Sequence, residues 1–231
     1  MKIALIGTNL EKLDSLLDPF AKEFSLVEHN PDYVFAFGGD GTLMRAEYNF
    51  PGIPKLFLRN SKIAKLAHKH ENEDVLRAFF ARQFTIIEQM KLLITTSHAT
   101  AEALNDVVIH NADPRHAIRY SVTIDNRRIH NEVIGDGIVC ATPLGSTGYY
   151  RSITDGIFES GIGLAFNNST EQTDHIVVSE KSILSFVITR GPAFCYADNQ
   201  ENFFELNDGD TAIIQKSKNI AKIISVDIKG L

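Results

Sequence analysis

The chain has 231 residues, of which 44% are hydrophobic and 23% charged, as in an ordinary soluble globular protein. Its net charge of −6 argues against a general nucleic-acid-binding protein, which usually presents a basic surface. The two cysteines lie in apolar runs, so we expect buried thiols rather than a disulfide. The first apolar run is too short for a signal peptide, and none approaches the roughly 20 residues of a membrane-spanning helix. A cytoplasmic location without membrane partners is therefore predicted.

The first third of the chain alternates predicted strands with predicted helices. Residues 33–37 are apolar throughout, which is typical of a strand covered on both faces of its sheet. Strands are also predicted at residues 3–7 and 56–58, with helices at 10–24, from the loop after residue 37 through Tyr48, and at 73–83. This alternation predicts a parallel α/β sheet.

After about residue 84 the pattern becomes predominantly that of β-strands. Strands are predicted at residues 91–96, 106–110, 118–124, 138–142, 183–189 and 213–215. We therefore predict two domains: an α/β domain of residues 1–88 and a β-rich domain of residues 89–231. A final strand near residues 220–228 is placed in the second domain, with the option of packing back on the first.

The first chemical feature is the loop Gly38-Gly39-Asp40-Gly41-Thr42, which directly follows the apolar strand. Ligands of open α/β sheets gather at the carboxyl ends of strands, and glycines let the backbone approach a ligand closely. Successive amides can hold phosphate oxygens, and Asp40 could accept a proton or hold a metal. The alternative is a tight turn with Thr42 as helix N-cap.

This loop resembles a motif shared by NAD kinases, diacylglycerol and sphingosine kinases, and 6-phosphofructokinases. A second segment, residues 135–149, contains Gly-Asp-Gly and Thr-Pro-Leu-Gly-Ser-Thr-Gly-Tyr and resembles the second signature of NAD kinases. Only one residue departs from that pattern, since Gly148 stands where the family has alanine. The pair of segments identifies the chain as a compact, divergent member of the NAD kinase family, with that family's two-domain fold.

The resemblance implies transfer of a phosphate from ATP or polyphosphate to the 2′-hydroxyl of the adenosine ribose of NAD, giving NADP. Asp40 is the implied catalytic residue, as general base or hydroxyl orienter, and Mg²⁺ or another divalent cation is expected with the donor. The segment Asn105-Asp106 resembles the family's Asn-Glu, which grips ribose hydroxyls. The implied substrate-binding residues are Gly39, Gly41, Thr42, Asn105, Asp106, Asp136, Ser146, Thr147, Gly148, Tyr149, Ser152, Asp198 and Asn199. A homodimer or homotetramer is also implied.

Donor phosphates are assigned to Gly38, Gly39, Gly41 and Lys62. Lys62 comes from a cationic stretch in residues 59–70 that also contains Arg59, Lys65, His68, Lys69 and His70 and could attract an anionic donor. The alternative is a solvated helix face. The eight histidines lack the spacing of metal ligands, so no metal site made by protein side chains is predicted.

Some residues depart from the family pattern. After Asn60 the family usually has Asn-x-Gly-x-Leu-Gly-Phe-Leu, whereas residues 61–67 here lack both glycines and the aromatic residue. Asp106 is one methylene shorter than the family's glutamate. Two other functions therefore stay open at this point: a non-catalytic NAD- or nucleotide-binding sensor, and a lipid kinase of the diacylglycerol or sphingosine kinase type.

Overall fold

The computed structural model describes residues 1–61, 64–170 and 174–228, which divide into two compact units. The first unit comprises residues 1–89 and 220–231, and the second comprises residues 90–219. No helix among the described residues is long and apolar enough to cross a membrane.

The first unit is an α/β layer built on parallel strands. Its elements are, in chain order, β1 (Lys2–Gly7), α1 (Leu10–Leu17), β2 (Ser25–Leu26), β3 (Tyr33–Gly38), α2 (Asp40–Asn49), β4 (Lys55–Arg59) and α3 (Asn72–Phe80). The parallel sheet has the order β2-β1-β3-β4, so its central strand is the apolar segment predicted from the sequence. Loops that follow these strands meet at one edge of the sheet, where the glycine-rich loop lies.

The core of the first unit lies on the face of the sheet covered by α1 and α3. Phe35 and Phe37 of β3 are fully buried there, in a cluster that includes Leu13 of α1 and Phe79 of α3. The predicted helix over residues 10–24 is too long, because α1 ends at Leu17 and a short 3₁₀ turn containing Pro19 follows. Proline disrupts a helix interior, which explains the early end.

The opposite face of the same sheet carries α2 and a buried ion pair. Glu47 of α2 and Lys55 of β4 are both almost fully buried and contact each other directly. Lys55 also donates to the carbonyl oxygen of Phe50 at 2.6 Å. Because burying either charge alone is costly, the pair ties the end of α2 to the start of β4.

The second unit is formed by antiparallel strands with one short helix. The remaining elements are β5 (Phe84–Thr95), β6 (Thr100–Ala103), β7 (Asp106–Asn111), β8 (Ile118–Ile124), β9 (Arg127–Gly135), β10 (Gly137–Ala141), α4 (Tyr149–Thr154), β11 (Ile162–Asn167), β12 (His175–Val178), β13 (Leu184–Arg190), β14 (Ala193–Ala197), β15 (Phe203–Leu206) and β16 (Thr211–Val226). Strand β5 begins in the first unit. The two strands predicted at residues 213–215 and near 220–228 form one continuous strand, whose residues 211–219 belong to the second unit and 220–226 to the first.

Two groups of strands enclose the core of the second unit. One sheet has the order β12-β11-β10-β7-β14-β15, and the other group has the order β16-β13-β8-β9. Alternate residues of β8, such as Tyr120 and Val122, meet residues of β7 and β10 in a single buried cluster. On the other face of the six-stranded sheet, Tyr150 of α4 packs against Val139 and Ala141. The helix therefore follows the second predicted motif and lies on that sheet.

Candidate active site

The glycine-rich loop joins the end of β3 to the first turn of α2. Gly38 is the last residue of the strand, Gly39 is the N-cap, and Asp40 is the first helical residue. A Cβ at residue 38 would overlap the hydroxyl of Thr42, so this close turn requires glycine. The Thr42 amide donates to the carbonyl of Gly39 at 2.9 Å, and the helix cap is therefore Gly39 rather than Thr42.

The carboxylate of Asp40 is half-buried and held by a neighbouring loop. Its two oxygens accept hydrogen bonds from the backbone amides of Lys65 at 3.2 Å and Leu66 at 3.0 Å. These amides belong to the segment that lacks the family's two glycines. The segment nevertheless fixes the orientation of the carboxylate through its backbone, a contact that does not depend on side-chain identity.

An open depression of about 460 Å³ at this sheet edge is lined by Lys12, Arg59, Asn60 and Ser61. Asn60 is anchored here, since its amide donates to the Gly38 carbonyl at 3.0 Å and its side chain to the Thr8 carbonyl at 3.3 Å. Sequence reasoning missed Lys12, which lies 26 residues before the loop. The two cations are suited to an anionic group.

Residues 64–70 of the cationic stretch form no helix. The alternative that this stretch is a solvated helix face is therefore wrong. His68 turns inward, where its Nε2 lies 3.2 Å from the carbonyl oxygen of Ile224. Burial lowers the pKa of His68 below its usual value, so this histidine does not contribute a positive charge at neutral pH. Lys62 lies outside the described residues.

In the second unit, the predicted Asn105-Asp106 pair forms a tight corner between β6 and β7. Both side chains are buried, each with 8% exposure. Thr142 of the second motif, residues 135–149, binds the backbone of this corner. Its hydroxyl donates to the Leu104 carbonyl at 2.8 Å, and its amide donates to the Asn105 carbonyl at 2.9 Å. The Gly145 amide in turn donates to the Thr142 hydroxyl at 3.0 Å.

The Asn105 side chain faces Gly148 of the second motif. An added Cβ at residue 148 would lie 3.1 Å from Asn105 Nδ2 and 3.8 Å from Asp106 Oδ2. Asn105 Oδ1 is buried and, among the described residues, has no hydrogen-bond partner. A buried acceptor without a partner is costly, so the side chain is suited to receive a donor from a ligand.

Asp106 and Asp198 are two acids of the second unit whose pKa values are raised. Burial, and secondarily the neighbouring Asp198 carboxylate, raise the pKa of Asp106 from 3.8 to about 7. Burial also raises the pKa of Asp198 to about 6, although backbone amides that donate to it act in the opposite direction. Such perturbed carboxylates concentrate at functional sites.

Asp136 and Tyr149 complete the same side of the second unit. Asp136 accepts hydrogen bonds from Asn168 Nδ2 at 3.0 Å and Asn111 Nδ2 at 3.3 Å. The Tyr149 hydroxyl accepts one from Asn167 Nδ2 at 3.0 Å. Burial raises the pKa of Tyr149, and the carboxylates of Asp136 and Asp106 add to this, so these three groups lie within electrostatic range. Asn167 and Asn168 were missed because no pattern in the sequence around them points to a ligand site.

Other predicted substrate contacts are placed differently. Ser146 is 1% exposed, and its hydroxyl points to the carbonyls of Pro143 at 2.7 Å and Phe158 at 3.1 Å. Ser152 is exposed, and its hydroxyl donates to the Tyr149 carbonyl at 2.7 Å. Thr147 is half-buried, and its hydroxyl lies 3.4 Å from the Leu144 carbonyl. The Ser146 hydroxyl therefore bonds the backbone of its own unit and is not directed at a ligand.

Asp198 and Asn199 follow strand β14, and Asp198 has a positive φ of 50°. Asn199 is exposed, whereas the Asp198 carboxylate turns toward the backbone of the Asn105 corner.

In residues 1–61, 64–170 and 174–228, no three histidine, cysteine or acidic residues are grouped in a way that could hold a metal ion.

Comparisons with known proteins identify the family of the chain. A family model described as the ATP-NAD kinase C-terminal domain matches residues 104–226. An NAD kinase from Ruminiclostridium cellulolyticum is 30% identical over 220 residues, which is 87% of this chain and 76% of that protein. The chain belongs to the NAD kinase family.

Solved structures of NAD kinases have the same fold. An NAD kinase from Archaeoglobus fulgidus, in complex with ATP, superposes with a TM-score of 0.80 at 19% identity over 98% of this chain and 94% of its own. A yeast NADH kinase complexed with NADH gives a TM-score of 0.86 at 14% identity over 98% and 84%. The predicted family, two-part fold and enzyme class, an NAD kinase, are confirmed by these matches.

Proposed function

We propose that this NAD kinase transfers the terminal phosphate of ATP to the 2′-hydroxyl of the adenosine ribose of NAD. The observation that carries the proposal is the half-buried carboxylate of Asp40, fixed by the Lys65 and Leu66 amides where β3 ends and α2 begins. A carboxylate in this place can accept the proton of the attacking hydroxyl. The hydroxyl oxygen then bonds to phosphorus as the bond to the ADP oxygen breaks.

We assign the acceptor to the second unit. Asn105 Oδ1, buried and without a partner among the described residues, and the Asp106 carboxylate are acceptors suited to the hydroxyls of the nicotinamide-side ribose. Asp136, Thr147, Gly148 and Tyr149 are assigned to the adenosine side. Gly148 leaves space in front of Asn105 that an alanine would partly fill.

We assign the donor to the sheet edge of the first unit. The backbone of Gly38, Gly39 and Gly41 and the cations Lys12 and Arg59 are suited to phosphate oxygens. Mg²⁺ enters with the donor as MgATP, since a triphosphate needs charge compensation. ATP is preferred over polyphosphate because the Archaeoglobus fulgidus structure that shares this fold is a complex with ATP.

The direct test is conversion of NAD to NADP. The purified protein is incubated with MgATP and NAD, and the product is measured with a dehydrogenase that accepts only NADP. Parallel reactions with polyphosphate or NADH define the donor and acceptor. We expect Asp40→Asn to lower kcat by about 10² to 10⁴.

The matched control is Asp32→Asn in the same unit, which removes an exposed carboxylate that accepts the Lys2 amide at 2.7 Å. It should leave turnover unchanged. Tight NAD binding by the wild-type protein without NADP formation would favour the sensor function instead. Near-normal turnover by Asp40→Asn would remove Asp40 from the catalytic role.

We also propose a cytoplasmic homo-oligomer, as the family resemblance implies. Light scattering on the purified chain gives its mass in solution directly. A mass equal to one 25.7 kDa chain at assay concentration would contradict the oligomer.

A further inference from the structure

The Asp198 carboxylate is fully engaged by backbone amides of the Asn105 corner. Asp198 Oδ2 accepts the Leu104 amide at 2.7 Å. Oδ1 accepts the amides of Asn105 at 2.7 Å and Asp106 at 3.1 Å. The Asp198 amide also donates to the Asp106 carbonyl at 2.9 Å. Four hydrogen bonds thus join one residue to three consecutive residues more than 90 positions earlier in the chain.

Asp198 and Thr142 bind different backbone groups of the Asn105 corner. Thr142 binds the carbonyls of Leu104 and Asn105, whereas Asp198 binds their amides. The backbone of Asn105 is therefore fixed in both directions. With its backbone fixed, the Asn105 side chain keeps its buried oxygen available beside Gly148.

A hydrogen-bonded network around the buried Lys91 adjoins Asp198. Lys91 is 4% exposed and donates to Glu102 at 2.7 Å, and its positive charge favours the ionised form of Asp198. Glu102 also accepts from Asn219 at 2.9 Å, and its carbonyl accepts from Gln200 at 2.7 Å. Gln200, two positions after Asp198, is thus tied to Glu102, the partner of the lysine that supplies the counter-charge of Asp198.

We propose that Asp198 is a positioning residue that sets Asn105 and Asp106 for the ribose hydroxyls of the acceptor without contacting NAD itself. This inference rests on the proposed function, since it assigns a role at the same acceptor site. It replaces the direct substrate contact that the sequence resemblance implies for Asp198. The Asp198 carboxylate accepts three backbone amides at 2.7 to 3.1 Å, whereas that of Asp40 accepts two at 3.0 and 3.2 Å, so Asp198 has less capacity left for a ligand.

The Asp198 carboxylate also acts on Asp106 through its charge, which a purely structural role would not require. The ionisable groups that act on Asp106 or sense its charge are Asp198, Tyr149 and Cys140, with Lys91 acting on Asp198. Tyr149 and Cys140 are neutral near pH 7, since their ordinary pKa values lie above 7 and burial raises them further. Removing the Asp198 charge therefore lowers the pKa of Asp106, and NAD binding that needs the Asp106 carboxylate persists to lower pH.

The experiment is a double-mutant cycle read out by NAD affinity. Asp198→Asn keeps a side chain that tolerates the positive φ at this position but removes the charge and one of the two oxygens. We expect the Kd for NAD to rise about 10- to 100-fold, with the KM for ATP unchanged. The same substitution in an Asn105→Ala or Asp106→Asn background should have a much smaller effect, because coupled residues are not additive.

Asp125→Asn is the matched control. Asp125 also has a positive φ, of 51°, and its carboxylate holds a neighbouring loop by accepting the Ile183 amide at 2.9 Å and the Ser182 hydroxyl at 2.8 Å. Replacing the Asp125 carboxylate should lower thermal stability without changing NAD affinity or the pH midpoint of NAD binding. Asp198→Asn should move that midpoint to lower pH.

Each other outcome overturns the proposal. Additive effects of Asp198 and Asn105 substitutions would assign Asp198 a direct contact with NAD. Unchanged NAD affinity and pH midpoint would remove it from the site. Failure of both Asp198→Asn and Asp198→Glu to fold would leave it a purely structural role. Wild-type protein that binds NAD but forms no NADP would reject the proposed function alone, since the cycle is measured by binding.

Discussion

Gly145 lies directly against the backbone carbonyl of Asn105, so closely that a Cβ at residue 145 would overlap that oxygen. The contact joins the Thr-Pro-Leu-Gly segment to the corner that carries two proposed ribose contacts. The glycine is needed here for space rather than for an unusual φ, because the structure assigns no positive φ to residue 145. The second motif therefore shapes the acceptor site through its backbone as well as through its side chains.

Gly145→Ala should both destabilise the protein and weaken NAD binding. The added methyl group must push the Asn105 backbone away, and overpacking of this kind costs about 1 to 3 kcal/mol. Denaturant unfolding and NAD titration measure the two effects. Gly156→Ala is the control, since its Cβ would meet only ordinary contacts to Thr154, the nearest at 3.6 Å. Equal behaviour of the two variants would contradict the close packing.

Asp106→Asn should change how stability depends on pH. The folded pKa of Asp106, about 7, lies above its unfolded value near 3.8. The folded state therefore binds this proton more tightly, and the associated stability is present below about pH 4 and lost as pH rises through about 7. The variant should unfold at a higher temperature than the wild type at pH 8, with a smaller difference at pH 4, while its NAD affinity falls.

The same measurement on Asp174→Asn provides the comparison, because Asp174 is an exposed aspartate of the same unit. It should not reproduce the gain in melting temperature at pH 8. An Asp106→Asn protein that is less stable than wild type at pH 8 would show that the native carboxylate is not disfavoured by its surroundings.

Glu47→Gln should be strongly destabilising, although Glu47 lies outside the proposed ligand contacts. The substitution leaves Lys55 buried without its counter-charge, and breaking a buried ion pair in this way costs about 3 kcal/mol or more. Urea unfolding measures the loss. Glu180→Gln, which breaks the exposed Glu180–Lys216 pair at 2.9 Å, should change stability little. Equal losses of stability in Glu47→Gln and Glu180→Gln would indicate that Lys55 is solvated.

Lys12→Ala and Arg59→Ala should weaken donor binding. We expect the KM for ATP to rise about threefold to tenfold for each, with a smaller dependence on salt, because the lost contacts are charge-assisted and partly exposed. The KM for NAD should stay unchanged. Lys22→Ala, an exposed lysine of the same unit, serves as control. An unchanged KM for ATP in both variants would place the donor elsewhere.

Local patterns predicted most of the secondary structure correctly. The strand over residues 33–37 and the helix after the glycine-rich loop were found as predicted, because an apolar run and a glycine-rich junction are local properties of the chain. The first predicted helix extended too far since the apolar spacing continues to Phe24, although the helix ends at Leu17. Its later aromatic residues, Phe20 and Phe24, pack against the core although they lie beyond the α-helix.

The sequence by itself determined the family, the two-part fold and the position of Asp40, because short motifs at fixed spacing specify a backbone geometry almost without reference to the rest of the chain. Tertiary structure alone decided what surrounds these residues. The amides that hold Asp40 lie 25 and 26 positions away, and those that hold Asp198 lie 92 to 94 positions away. Contacts at such separations depend on how the whole chain packs, which no local pattern encodes.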